Sequence, residues 1–325
     1  MGTLYAAGDK VLEENVTDPH TETESTEDAD WEKWRALTAE AYARFHERLF
    51  ANRSLFPGLS DYAPAERART TSGTFAWWWG ASGEIQETIN AVNAWGMRLH
   101  EWGAWSQVVD SYESDENRWE LLYHFVEPVA FFCMLQPSSL VDRLTVASET
   151  LLHQANCRVF PDEPDRLDQD NLKPGQILRR SDRRKQLNRL GKRWSTFGAF
   201  RDALGVMDGS EYQRVTRNFR DLSAHSFAPR FMVGQVIRAI RSVVPWQDMV
   251  AQPDGTHLLV DHPTRKGVQY GMQAMEPLSL DVTCSANLAE YQKALIAMKA
   301  FAALVDELCD EMDALPKNGV AAPKK

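Results

Sequence analysis

Polar and apolar positions along this 325-residue chain alternate mostly with the period of an α-helix. "WEKWRALTAEAYARFHERLF" sets Trp31, Trp34, Leu37, Ala41, Phe45 and Leu49 three and four apart, which predicts an amphipathic helix from Trp31. Two prolines in "NRSLFPGLSDYAPAE" mark a turn, after which Ile85, Ile89, Val92 and Trp95 resume the helical step. A further helix is expected from about Arg118, and "QPSSLVDRLTVASETLLHQ" reads as the start of another, capped by Ser138 or Ser139. The last helix is the most regular. Leu288, Tyr291, Leu295, Met298, Ala302, Val305, Cys309 and Met312 form a coiled-coil-like seam, either packed inside its own bundle or joining a second copy.

Breaks in the pattern divide the chain. Residues 8–30 are acidic, rich in Thr and Glu and poor in aromatics, which predicts a disordered acidic arm over residues 1–30. An N-terminal helical region follows at 31–160. "FPDEPDRLDQDNLKPG" holds three prolines and five acids and marks a linker at 161–175, leaving a C-terminal helical region at 176–315 and a flexible tail at 316–325. Within the second region one helix is expected to run from Ser210 to His225 and to end before Pro229, because the residue preceding a proline is pushed out of the helical conformation. "PRFMVGQVIRAIRSVV" is expected to continue helically, and two β-rich runs around "HPTRKG" predict a small hairpin near 256–273. The fold class is therefore all-α: a multi-helix bundle with a small β-hairpin inserted before the C-terminal helix.

Composition adds less. With 43% hydrophobic and 25% charged residues the chain is globular in type, and eleven Trp demand wide apolar contacts. Cys133, Cys157, Cys284 and Cys309 are too scattered for a metal motif and read as free thiols. The first residues lack a basic stretch followed by an apolar core, and the longest apolar run, 126–135, is broken by Glu127 and Pro128. A cytoplasmic protein with no membrane partner is expected. No phosphate loop, GxSxG, HExxH or GxGxxG is present, so no cofactor is expected. "HLLVDH" (His257, Asp261, His262) is the nearest approach to a metal motif and reads more simply as surface strand, so no metal site is assigned. "FAWWWGASGE" is expected to lie buried between helices, or else to stack on bases.

Charge is blocky. Residues 176–241 carry fifteen Lys/Arg against five Asp/Glu, within a chain whose net charge is −10. The densest run, Arg179, Arg180, Arg183, Arg184, Lys185, Arg189, Lys192 and Arg193, can follow a nucleic-acid backbone, as can Arg217. The same run can instead be a solvated helix face, or can be covered by the acidic N-terminal arm.

One short motif carries chemistry. In "RDLSAH", Arg220 and Asp221 precede His225 by five and four residues. A guanidinium grips a phosphate bidentately, and an imidazole near neutral pKa can exchange a proton with a 2′-hydroxyl. The motif resembles the Arg-x4-6-His signature of the HEPN superfamily, all-α proteins that commonly dimerise and whose active members cut RNA without metal in toxin and antiphage systems. The resemblance implies phosphate binding by Arg220, proton transfer by His225 and orientation by Asp221. It also implies RNA as ligand, a homodimer, and metal-independent endoribonuclease activity. Two readings stay open: this RNA-directed one, and a non-catalytic helical binding or scaffold protein in which Arg220 and His225 hold a helix end.

Overall fold

Two long helices form the centre of the computed structural model, which describes residues 19–162 and 172–316. In chain order the helices are α1 (Pro19–Ala51), α2 (Ala63–Thr70), α3 (Ser82–Asp110), α4 (Asp115–Leu121), α5 (Glu127–Val159), α6 (Arg180–Gly191), α7 (Phe197–Gly205), α8 (Ser210–Val215) and α9 (Phe219–His225). Strands β1 (Val236–Ala251) and β2 (His257–Met275) follow, then α10 (Leu280–Ala314). The fold is an all-α bundle with one two-stranded antiparallel hairpin immediately before the C-terminal helix.

Ile85, Ile89, Val92, Trp95 and Trp102 are fully buried along α3, as the helical period requires. α5 and α10 pack on α3 and on each other. On α10 the seam residues Tyr291, Val305, Cys309 and Met312 are all inaccessible, and the helix packs on α2, α3, α5 and α7 of its own chain. Leu288 and Leu295 lie at the edge of that face, while Ala294, Ala297, Phe301, Leu304 and Leu308 complete it. The shift follows from the helix itself: at 3.6 residues per turn a strict seven-residue seam drifts around the cylinder, so a straight helix buries a broader stripe. The hydrophobic core is continuous across both sides of segment 161–175, joining Leu187, Phe197 and Phe200 to Phe301 and Leu304.

Several local expectations are corrected. α1 begins at Pro19, inside the arm expected to be disordered, because extending an anchored helix avoids a new nucleus. The rest of that arm, residues 1–18, lies outside the described residues, as do most of the acidic linker (163–171) and most of the tail (317–325). No new helix starts at Ser138: α5 runs through Pro137. The missing N–H of Pro137 frees the carbonyl of Cys133, which accepts instead from Asn287 Nδ2 at 3.0 Å. Of the three consecutive tryptophans only Trp77 is buried, donating Nε1–H to the Ala68 carbonyl at 3.1 Å. Trp78 and Trp79 face solvent across a π-turn at Trp77–Ala81, because only one side of this helix start meets the core. Among the thiols, Cys133 and Cys309 are buried and Cys157 is exposed, none of them in a disulfide.

The largest correction concerns residues 236–244, expected to be helical and forming the first part of β1 instead. The hairpin is accordingly much longer than the one expected at 256–273. "VIRAIRSVV" satisfies a helical and a strand period about equally, and its β-branched content favours the strand. His262 belongs to an irregularity in this hairpin, where its Nδ1 accepts the backbone N–H groups of Thr264 (3.2 Å) and Arg265 (2.9 Å).

Candidate functional site

α6 to α9 fold back over α5 and α10, and the connections between them are held by buried polar groups. α6 starts at Arg180, with Arg179 at its N-cap position. Its apolar face buries Leu187 and Leu190, followed by Trp194 and Phe197. Trp194 Nε1 donates to Asn156 Oδ1 at 2.9 Å, and Asn156 Nδ2 donates to the Leu190 carbonyl at 3.1 Å, pinning the end of α6 to α5.

Glu307 of α10 then caps α7. Its carboxylate accepts the backbone N–H groups of Ser195 (2.7 Å) and Thr196 (2.9 Å) and the Thr196 hydroxyl. Partial burial acts to raise the Glu307 pKa, but the Thr196 and Ser195 hydrogen bonds outweigh it and hold the carboxyl below its ordinary value. A group whose folded pKa is depressed contributes stability above the unfolded pKa and loses it as pH falls through the folded value. Glu307→Gln is therefore expected to cost about 1 kcal/mol at neutral pH, with the difference from the parent shrinking in acid as the parent carboxyl protonates. Chemical denaturation of both proteins across the carboxylate range checks this.

α8 and α9 do not form the single helix expected. Arg217 and Asn218 both sit at left-handed backbone angles, φ 52° and 55°, and break it. The break turns Phe219 into the core, where it is 1% exposed, and Asn218 N–H reaches the Gln213 carbonyl at 2.8 Å. Asn tolerates this conformation; Arg217 is held in it by a hydrogen bond from its guanidinium to the Glu276 carbonyl at the hairpin root. Arg217 thus ties the break between α8 and α9 to the hairpin root while remaining exposed. α9 ends at His225, as the approach of Pro229 requires.

The side chains of α6–α9 enclose a groove of about 450 Å³ over α5. Arg184 of α6, Arg201 of α7 and Arg220 of α9 line it, with the amides of Asn188, Gln213 and Asn218. Asp208 and Asp221 are also on its wall. Arg220 Nη1 donates to Asp221 Oδ1 at 2.7 Å, and Arg201 donates to Asp202 at 2.9 and 3.0 Å. Each guanidinium has five donors, so these bonds leave capacity for an anion. Tyr212 forms the floor; its hydroxyl accepts from Asn287 at 2.8 Å and lies 3.3 Å from the Met134 carbonyl, and burial pushes its pKa far up. It is a neutral support.

The structure thus unites some of the expected site residues and separates others. Arg220 and Asp221 line the groove. His225 is exposed at the far end of α9 and is not among the groove's lining residues. In the basic run, Arg183 is turned inward to the buried Glu149 at 3.0 Å, Arg189 bonds the buried Gln186, and Arg193 stacks on Phe160 at 4.7 Å. Lys185 pairs with Asp182 at 3.3 Å. Arg179, Arg184 and Lys192 are exposed, and the side chain of Arg180 lies outside the description. Arg201, Asn188 and Gln213 were not singled out from the sequence; only their membership of the basic segment pointed to them.

Among the described residues no helix is long and apolar enough to cross a membrane. Comparison with protein-family models, with curated proteins and with solved structures returned no match.

Proposed function

We propose that this chain is a HEPN-like RNA-binding protein that grips the phosphate backbone in the groove between α6 and α9. The observation that carries this reading is the meeting of two separate sequence features in one groove: Arg184 from the basic run and Arg220 from "RDLSAH", joined by Arg201. Three guanidiniums with neighbouring amides form a donor-rich wall suited to phosphate oxygens. Cleavage is the further step of the same reading. Arg220 would stabilise charge on the scissile phosphate, Asp221 would orient it, and His225 would move a proton to or from the 2′-oxygen, without a metal. Since His225 stands apart from the groove in one copy, that step requires the His225 of a second copy to approach Arg220.

Fluorescence anisotropy with single-stranded RNA tests the binding. Arg184→Ala and Arg220→Ala are each expected to weaken affinity about tenfold and to reduce the salt-dependence slope by about one. Arg183→Ala, whose guanidinium is engaged with Glu149, should leave the affinity unchanged. In EDTA, His225→Ala should abolish RNA cleavage while leaving binding intact. A parent protein that neither binds nor cuts RNA would sink this reading. The scaffold reading would then stand, supported by the Arg220–Asp221 ion pair within α9.

A further inference from the structure

The hairpin is out of proportion to the body that carries it. β1 has 16 residues, so the arm extends roughly 50 Å. Its strands pair with each other along nearly their whole length but pack extensively on no helix. Its ties to the body are at the root, where Arg238 donates to Ser226 Oγ at 3.1 Å and Arg217 holds the Glu276 carbonyl. An isolated two-stranded hairpin is marginal in water, and both faces of this one meet solvent.

One face of its stem is apolar. The register pairs Ile237 with Ala274, Ala239 with Met272, Arg241 with Tyr270 and Val243 with Val268, all on the same side by strand alternation. Tyr270 and Met272 are 69% and 76% exposed, and Ile237, Val243 and Val268 are each more than half exposed. These five side chains offer roughly 600 Å² of apolar surface, most of the ~800 Å² that one partner buries in a standard interface. That is at the upper end of what a soluble monomer leaves uncovered, where such patches are often functional.

Charge along the arm indicates what covers it. Arg238, Arg241, Lys266 and Arg265 all lie between the root and the irregularity at Trp246, where Arg265 stacks on the indole at 4.0 Å. Asp248, Asp261 and the loop residue Asp254 lie beyond it, toward the tip. The stem is basic and the tip acidic. Two identical arms laid antiparallel match stem to tip twice, as a two-fold axis requires. Edge-to-edge pairing cannot run the length of the arm, because Pro245 interrupts β1 and Pro263 interrupts β2 at its middle. The contact left is face to face. We infer that the hairpin is a dimerisation arm: two copies of this chain pack their arms antiparallel, the stem face of each (Ile237, Val243, Val268, Tyr270 and Met272) lying on the exposed Met249 and Leu259 of the other's tip, with each basic stem against the other's acidic tip. This stands independently of the RNA reading.

Analytical ultracentrifugation of the full chain tests it. The parent protein should sediment as a dimer at micromolar concentration. Val268→Asp with Tyr270→Asp should raise the dimer dissociation constant at least about tenfold, with the helical circular dichroism and thermal melt of the body retained. Charge reversal isolates the self-complementary element. A stem-reversed chain (Arg241→Glu, Lys266→Glu) and a tip-reversed chain (Asp261→Lys) should each be shifted toward monomer, and mixing the two should restore a dimer containing one of each. A monomeric parent overturns the inference and leaves the arm to an unlike partner. So does a dimer untouched by the face substitutions, or a mixture of the reversed chains that stays monomeric.

Discussion

Asn287→Leu is expected to cost about 4 kcal/mol of stability, read as a fall of roughly 8 °C in the thermal midpoint. Asn287 is fully buried on α10 and joins four elements. Its Oδ1 accepts from Trp95 Nε1 of α3 at 2.7 Å. Its Nδ2 donates to the Cys133 carbonyl of α5 at 3.0 Å and to the Tyr212 hydroxyl of α8 at 2.8 Å. Leucine matches the volume but leaves an indole N–H and a helix carbonyl without these partners in the core, at about 1–3 kcal/mol each. The Cys133 carbonyl is exposed to this loss by Pro137, which cannot donate to the carbonyl four residues before it. The cost is therefore expected to fall in a Pro137→Ala background, where the helix can supply the missing N–H. An equal cost in both backgrounds would contradict the coupling. Because Tyr212 floors the groove, the same substitution should also weaken any anion bound there.

The same residues show how far the sequence carried. The faces of α3 and α10 were legible because a core helix repeats its apolar positions, and Trp95, Tyr291 and Val305 are buried as that repeat demands. The end of α9 at His225 was legible because Pro229 acts locally. Pro137 misled for the converse reason: it is a local helix breaker whose missing donor is made good by Asn287, distant in the chain. β1 was missed because an arm exposed on both faces carries no one-sided pattern, so "VIRAIRSVV" fits a helical step as well as a strand. The groove was half legible. Arg184 and Arg220 stood out by composition and motif, but their convergence depends on how α6, α7 and α9 fold back. The left-handed turn at Arg217 and Asn218 that sets α9 has no glycine or proline to announce it. The inward turn of Arg183 was equally hidden, since its partner Glu149 lies on the helix beneath.

A close contact between α3 and α10 leads to the second large effect. Gly96→Ala is expected to destabilise the protein by about 3 kcal/mol, although alanine is intrinsically better in a helix by ~1 kcal/mol. A Cβ at Gly96 would fall inside the van der Waals envelope of the Tyr291 ring and hydroxyl. That ring cannot retreat. It is fully buried, edge-on to Trp95 at 5.3 Å and stacked near Phe56 at 6.2 Å, and its hydroxyl donates to the Gly58 carbonyl at 2.9 Å. The added methyl must separate α3 from α10 or break the Gly58 bond. A double-mutant cycle distinguishes this from any general weakness of α3. Once Tyr291→Ala has opened the space, Gly96→Ala should become neutral or stabilising by up to ~1 kcal/mol, the helix propensity difference alone. A sign reversal between the two backgrounds, read by denaturant titration, identifies the Tyr291 ring as what requires glycine at position 96. A cost that persists without the ring would place the constraint in the α3 backbone.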